Sequence, residues 1–190
     1  MTGVQTCALP ICALAARPDA RIVGVDNDPI VLAHARARPA DSGNGAAAIV
    51  AGDLRDPAAI LADPQVRGKL DFDRPIGVML IAVLHFVGDD EDPYGIVKTL
   101  MDAVAPGSFL ALTHVTGDFD QERLAVSAQA YEKSTAKLSV RSAKETAAFF
   151  DGLDLLDPGV VLLPRWRPDG PVPRDADDIW MYGALGRKTQ

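Results

Sequence analysis

A short β-branched run that ends in an acidic turn, residues 21–34 (RIVGVDNDPIVLAH), constrains the fold more than any other part of the chain. Residues 22–25 are apolar without a helical period, which predicts a buried strand. Asp28 is placed to cap the next helix and Pro29 to occupy its first turn. In nucleotide-binding α/β folds, a carboxylate just after a parallel strand accepts hydrogen bonds from ribose hydroxyls. Asp26 is therefore a candidate ligand, and a capping or loop aspartate is the alternative.

Composition restricts the class of partner. The chain has 190 residues, 48% of them hydrophobic, which suits one globular domain with a sizeable core. A formal net charge of −7 argues against a nucleic-acid surface, because phosphate contacts need clustered Lys and Arg. No apolar stretch reaches the roughly 20 residues that span a bilayer. Cys7 and Cys12 lack partners at the spacing of a zinc site. We therefore expect a cytoplasmic protein that binds neither nucleic acid, membrane nor metal.

The chain alternates between strand-like and helix-like segments, which predicts an α/β fold. Residues 46–51 (AAAIVA) are predicted to form a strand that leads to Asp53, and Asp56 is placed to cap the helix after it. The most apolar stretch, residues 75–87 (PIGVMLIAVLHFV), is predicted to be a central parallel strand covered on both faces.

The second half of the chain continues this pattern and adds a late hairpin. Residues 121–137 are predicted to form a long helix that could cover the site. Ser142 and Glu145 have the spacing of a capping box and predict a helix start. The last two strands are expected to form a hairpin at the sheet edge. The predicted strands of this half are residues 108–115, 160–163 and 179–187.

Several segments in a fixed order resemble one known family. Together they are similar to the class I S-adenosylmethionine-dependent methyltransferases, and within these to a group known by a domain-of-unknown-function label. The resemblance covers residues 13–188 and implies the Rossmann-like, seven-stranded class I fold. The segments that carry it are VDNDPIVLAHARA, AGDLRDPAAIL, DFDRPIGVMLIAVLHFV, VAPGSFLALTH, RSAKETAAFFDGLDLLDPGVVLLPRWRPDG and YGALGRK.

The resemblance implies a binding site for the adenosine part of S-adenosylmethionine. Asp26 would take the ribose hydroxyls, with Asn27 beside it. Asp53 would accept a hydrogen bond from the adenine amino group. The Leu54 backbone would meet the ring edge, and its side chain would pack on the ring.

The resemblance also places residues at the methionine end of the cofactor and at the methyl acceptor. These are residues 82–85, Ala82-Val83-Leu84-His85, where the fourth strand of the family opens onto the methionine end and the acceptor. A sulfonium methyl is already activated, so catalysis needs alignment above all. A base is needed where the acceptor arrives protonated, and His85 is the candidate for it. A buried, structural histidine is the alternative reading of the same residue.

The beginning of the chain does not fit the family pattern. Residues 3–11 (GVQTCALPI) resemble the translation of a sequencing-adapter oligonucleotide, so residues 1–12 are interpreted as a non-native leader. Residues 13–190 are then expected to form a single, partial methyltransferase-like domain. The first strand and its glycine-rich turn are expected upstream of Ala13, and MTGVQTCALPIC does not supply them. We therefore expect the chain by itself to be an inactive fragment.

The sequence predicts a methyltransferase that uses S-adenosylmethionine and acts on a small-molecule acceptor. An NAD-dependent oxidoreductase is an alternative, because an acid after the second strand also serves an NAD ribose. A non-catalytic cofactor-binding or regulatory module is another, because a fold does not guarantee a function.

Overall fold

The computed structural model describes residues 13–37, 47–119 and 138–190. The chain divides into two units, Met1–Phe72 and Asp73–Gln190, which are described separately. Within the described ranges, no helix is long and apolar enough to cross a membrane. The predicted leader at residues 1–12 and the predicted helix at residues 121–137 lie outside those ranges.

The first unit contains two parallel strands and their helices. Strand β1 (Ile22–Asp26) pairs with β2 (Ala47–Ala51) in a register that runs from Ile22 opposite Ala47 to Asp26 opposite Ala51. Helix α1 spans Pro29–Ala37, α2 spans Pro57–Ala62 and α3 spans Pro64–Lys69. The parallel register brings the carboxyl ends of both strands to the same edge, where ligands of open α/β sheets bind.

An Asp-Pro pair stands at the start of each of these three helices. The same pair stands at the start of the first α-helix of the second unit, which begins at Pro93. The aspartate accepts hydrogen bonds from the first turn, and the proline occupies a position where no backbone donor is needed. Asp28 Oδ1 accepts from the Ile30 amide at 2.7 Å, and Asp56 Oδ1 accepts from Ala59 at 2.9 Å. The caps predicted at these two aspartates are therefore confirmed.

The second unit is built on a mixed sheet in the order β3–β4–β7–β5, with β6 also paired to β7. Strands β3 and β4 are parallel, whereas β7 runs antiparallel to β4 and to the two short strands. The strands are β3 (Gly77–Ile81), β4 (Phe109–Val115), β5 (Asp154–Leu155), β6 (Val161–Leu162) and β7 (Met181–Arg187).

Two helices of this unit are α4 (Pro93–Asp102) and α5 (Ala143–Ala148). The apolar side of α4, which includes Ile96, Val97 and Leu100, is buried. Helix α5 begins with the predicted capping box, in which Ser142 and Glu145 bond each other's backbone amides. That prediction is confirmed.

The predicted strand over residues 75–87 is wrong in its second half. Strand β3 ends at Ile81, Ala82 adopts a left-handed conformation with φ of 54°, and Leu84–Phe86 form a 3-10 helix. The run is apolar because its loop is buried, with Leu84 and Val87 almost inaccessible. A continuous apolar run does not distinguish a buried strand from a buried loop.

The predicted edge hairpin is also corrected. Strands β6 and β7 do pair antiparallel, with Val161 opposite Gly183 and Leu162 opposite Tyr182. However, β7 lies between β4 and the two short strands rather than at the edge. The other predicted strands differ from the observed bounds by one or two residues at their ends.

Candidate functional site

An acidic corner lies at the carboxyl ends of β1 and β2 in the first unit. The Gly52 amide donates to the Asp26 carbonyl at 3.1 Å, which holds the two strand ends together as the chain leaves β2. Asn27 Nδ2 lies 3.4 Å from Asp53 Oδ2 and donates to it. The structure therefore brings Asn27 and Asp53 into contact, with Asp26 at the adjoining strand end.

Asp26 is oriented by its own loop. Its Oδ1 accepts the Asp28 amide at 2.9 Å, whereas the cap of α1 is Asp28 itself. Asp26 therefore does not cap the helix, but its bond to the Asp28 amide is that of a loop aspartate, which was part of the same alternative. A carboxylate offers about four lone-pair sites, so this bond to the Asp28 amide leaves acceptor capacity for two hydroxyl groups.

Asp53 is held ionised by a turn. The Arg55 amide donates to Oδ1 and the Arg55 guanidinium donates to Oδ2, each at 3.0 Å. The backbone hydrogen bond and the positive charge of Arg55 lower the pKa of Asp53, against a smaller opposing effect of burial. Leu54 lies in this turn, which the Asp56 amide closes on the Asp53 carbonyl at 2.9 Å. Asp53 is thus a carboxylate acceptor at neutral pH.

Gly52 is required where β2 passes under this turn. A Cβ atom there would lie 2.8 Å from Val25 Cγ1 and 3.1 Å from Ile60 Cγ1. The β-branched side chain of Val25 has little rotamer freedom to move away. The position of Asp53 therefore depends on the absence of a side chain at its neighbour.

We expect Gly52→Ala to lower the free energy of unfolding of the first unit by about 1–3 kcal/mol, the range for overpacking. Chemical denaturation followed by far-ultraviolet circular dichroism measures this change. Gly68→Ala is the matched control, because a Cβ at Gly68 in α3 meets nothing within 4 Å. That helical substitution should stabilise by about 0.5–1 kcal/mol. Equal effects of the two substitutions would contradict the steric argument.

In the second unit, the predicted methionine-end residues lie in a strained loop after β3. Ala82, with φ of 54°, is a non-glycine residue in the left-handed region, which costs about 1–2 kcal/mol. Its amide donates to Thr113 Oγ1 on β4 at 2.8 Å. Val83 follows directly and precedes the 3-10 helix Leu84–Phe86. Backbone strain of this kind is concentrated at functional sites.

His85 lies in that 3-10 helix and not on the strand. It is 5% exposed, and its Nδ1 has no hydrogen-bond partner among the described residues. The ring contacts those of Phe86 and His114, with centroid distances of 4.4 and 5.8 Å. Burial, with a smaller repulsion from His114 and Arg141, lowers the pKa of His85 to about 4. The ring is therefore neutral at physiological pH.

Beside His85 lies a buried polar network that the sequence did not predict. Arg141 is 3% exposed, and its guanidinium donates to His114 Nε2 at 2.7 Å. Because arginine carries donors only, Nε2 must be the acceptor. The proton of the neutral ring is then on Nδ1, which donates to the Val115 carbonyl at 2.7 Å. Burial lowers the pKa of His114 to about 4, which also keeps this ring neutral.

The acidic loop between the 3-10 helix and α4 spans residues 88–92. Three of its carboxylates bond to groups of the second unit. Asp89 Oδ1 accepts from the Arg141 guanidinium at 2.6 Å. Glu91 accepts from the Gly88 amide at 2.8 Å, and Asp92 caps α4 by accepting from the Gly95 amide at 3.0 Å. Among the described residues, no group of three His, Cys, Asp or Glu side chains is arranged to hold a metal ion.

Comparison with known proteins identifies the family. Residues 8–189 match the S-adenosyl methyltransferase family. The chain belongs to this family. It is 38% identical to a DUF574 family protein from Streptomyces avermitilis, with a TM-score of 0.86, covering 93% of this chain and 68% of that one. It is 34% identical to a candidate methyltransferase from Thermobifida fusca, with a TM-score of 0.84, covering 94% of this chain and 66% of that one.

The S-adenosyl methyltransferase family has S-adenosylmethionine as its cofactor, as the resemblance implied. The chain spans about two thirds of the length of the two proteins above. Human N-acetylserotonin methyltransferase in complex with SAM shares the fold, with a TM-score of 0.57 and 17% identity over 99% of this chain and 46% of that one. No match was found among curated proteins.

The family assignment confirms the predicted class I, Rossmann-like fold class. It does not favour the NAD-dependent oxidoreductase alternative. The roles predicted for single residues stay predictions. Sequence reasoning did not single out Arg141, because its partners are backbone carbonyls and side chains far away in the chain. The one available signal was an arginine directly before a capping box.

Proposed function

We propose that this protein transfers the methyl group of S-adenosylmethionine to a small-molecule acceptor. Family membership supports the reaction class. The proposed cofactor site is supported above all by the acidic corner. There Asp26 is the last residue of β1 and Asp53 follows the carboxyl end of β2, the parallel strand beside it. A formal net charge of −7 favours a small acceptor over nucleic acid.

The acidic corner suits the adenosine part of the cofactor. Asp26 has free acceptor capacity for the two ribose hydroxyls, and Asn27 stands beside it. Asp53 is ionised and would accept a hydrogen bond from the adenine amino group. Leu54, in the turn that Asp53 opens, would place its backbone at the ring edge and its side chain on the ring.

Residues of the second unit would serve the methionine end and the acceptor. Ala82 and Val83 lie in the strained turn after β3 and would contact the cofactor's reactive end. The methyl group needs only a nucleophile aligned with its carbon–sulfur bond, which is proximity catalysis. His85 is the proposed general base for an acceptor that arrives protonated, because its ring is neutral and its Nδ1 is unpartnered among the described residues.

Binding of S-adenosylhomocysteine tests the acidic corner. We expect Asp26→Ala to weaken binding by about 1.5–3 kcal/mol, the range for hydrogen bonds to a charged group. Calorimetric titration measures this on the chain together with any sequence that its gene encodes upstream. Asp19→Ala is the control, because Asp19 is an exposed aspartate of the same unit whose ion-pair partner is Arg17. Equal affinities for Asp26→Ala and the unsubstituted protein would remove Asp26 from the site. Displacement by NADH would instead support the oxidoreductase alternative.

We expect the 190-residue chain by itself to be inactive, because the sequence before Arg21 contains no glycine-rich turn for the cofactor's carboxypropyl end. Titration of this chain with S-adenosylmethionine tests the expectation. A cooperative melt together with saturable micromolar binding would contradict it. Binding without turnover in a broad acceptor screen, in the chain with its upstream sequence, would favour the non-catalytic module. The cytoplasmic location stays a prediction from composition.

A further inference from the structure

The loop after β3, residues 82–89, is held at both of its ends by side chains from elsewhere in the second unit. We call this segment the β3 loop. At its beginning, the Ala82 amide donates to Thr113 Oγ1 at 2.8 Å. At its end, Asp89 Oδ1 accepts from Arg141 Nη2 at 2.6 Å. The two anchors come from residues 31 and 52 positions away in the chain.

Arg141 also holds the middle of the β3 loop. Its Nη1 donates to the Leu84 carbonyl at 3.3 Å, and its Nη2 donates to the Val87 carbonyl at 3.1 Å. These two carbonyls flank His85. The planar fork of arginine can satisfy several acceptors in one fixed geometry, which a lysine ammonium cannot reproduce.

The guanidinium is itself rigidly placed. His114 Nε2 accepts a hydrogen bond from the guanidinium at 2.7 Å. The guanidinium carbon, Cζ, lies 5.5 Å from the centroid of the Phe149 ring, which follows α5. The Arg141 amide donates to the Val115 carbonyl at 3.2 Å, which ties its backbone to the end of β4. A buried cation with this many partners fixes the geometry of the acceptors it contacts.

We propose that Arg141 is a positioning residue, which holds the β3 loop in the conformation that presents Ala82 and Val83 to the cofactor. The inference rests on the proposed function, because it assigns that loop to the methionine end. As a positioning residue, Arg141 contacts neither the cofactor nor the acceptor. It acts through the Leu84 and Val87 carbonyls and through Asp89.

Calorimetric titration with S-adenosylhomocysteine tests the proposal, because it separates affinity from the fraction of folded protein. It is made on the chain together with any sequence that its gene encodes upstream. We expect Arg141→Lys to raise the Kd about tenfold at unchanged stoichiometry, since a displacement of about 1 Å at a site is enough for large losses. A purely structural role would lower the stoichiometry or the melting temperature and leave the Kd of the folded molecules unchanged.

Lys188→Met is the matched control. Lys188 Nζ also donates to backbone carbonyls, those of Met101 and Val104 at 2.9 Å each. It lies where β7 ends beside the beginning of β4, at the opposite end of these strands from Val115. We expect this substitution to lower the melting temperature and to leave the Kd within about twofold of the unsubstituted protein.

Hydrogen exchange of the β3 loop gives a second readout that needs no ligand. The Phe86 and Val87 amides bond within the loop, to the Val83 and Leu84 carbonyls. In Arg141→Lys these amides should exchange at least about tenfold faster, whereas Lys188→Met should leave them unchanged. Should Arg141→Lys not fold, Asp89→Asn replaces it, because the Asp89 side chain is 84% exposed. Asp89→Asn is expected to raise the Kd about threefold.

Each outcome decides between the readings. Unchanged affinity and unchanged exchange in Arg141→Lys, or in Asp89→Asn where that variant is used, would overturn the positioning role. Absence of S-adenosylhomocysteine binding in the unsubstituted protein, titrated as the chain together with any sequence that its gene encodes upstream, would overturn the proposed function, and the assignment of the β3 loop to the cofactor would fall with it. The hydrogen-exchange comparison would then still show whether Arg141 holds the loop.

Discussion

Acidification from pH 7 to pH 4 is expected to lower the free energy of unfolding of the second unit. Each of two buried histidines, His85 and His114, contributes about 3 kcal/mol to this loss. His85 and His114 both have pKa values lowered from 6.5 to about 4, chiefly by burial. The unfolded chain therefore binds more protons than the folded one between these two values. Stability is complete above pH 6.5 and declines as the pH falls toward 4.

The described charged groups that act on the two rings do not change this window. Arg141 opposes protonation of both rings, and the carboxylates of Asp89 and Glu145 favour protonation of His114 without outweighing burial. Glu145 has a lowered pKa of its own, so its contribution to stability is lost only below its ordinary value of 4.5. Among the described residues, the slope between pH 6.5 and 4.5 therefore belongs to His85 and His114.

Tryptophan fluorescence during urea unfolding measures this effect on the second unit. Both tryptophans, Trp166 and Trp180, belong to it. His114→Gln should remove a large part of the pH dependence, because one of the two buried rings is gone. His34→Gln is the control, because His34 is exposed on α1. A free energy of unfolding that stays level from pH 7 to 4.5 would contradict the assignment of both rings as neutral and buried.

The second large effect is expected on the reaction itself. If His85 is the general base, His85→Gln should lower the methylation rate about 100-fold. S-adenosylhomocysteine affinity should stay within about twofold, because a base acts on the acceptor and not on the bound cofactor. Since the pKa of His85 is lowered to about 4, the rate of the unsubstituted protein should also stay level between pH 8 and 6.

The rate is measured on the chain together with any sequence that its gene encodes upstream. The measurement needs an acceptor, which a screen of small nucleophiles with S-adenosylmethionine as donor would supply. Rates are then compared per folded molecule, with the folded fraction taken from the fluorescence melt. His34→Gln again serves as the control. A His85→Gln protein that loses stability but keeps its rate per folded molecule would assign His85 to the structural class.

Local chemistry made several parts of the structure predictable. The caps at Asp28 and Asp56 and the capping box at Ser142 depend on residues two or three positions apart, so a short window of sequence contains the whole interaction. Strands β1 and β2 were predicted from short β-branched or apolar runs that end in acidic turns. The placement of Asp26 and Asp53 at their carboxyl ends followed from that pattern and from parallel pairing.

The sequence by itself therefore determined the family, the helix starts and the acidic residues of the first unit. Only the tertiary structure decided where β3 ends, because the Ala82 amide turns to Thr113 instead of continuing a strand. It also decided that β7 lies inside its sheet and that Arg141 connects the β3 loop to His114. These features depend on partners 27 to 57 positions apart in the chain or on the order of strands in the sheet, which no local periodicity encodes.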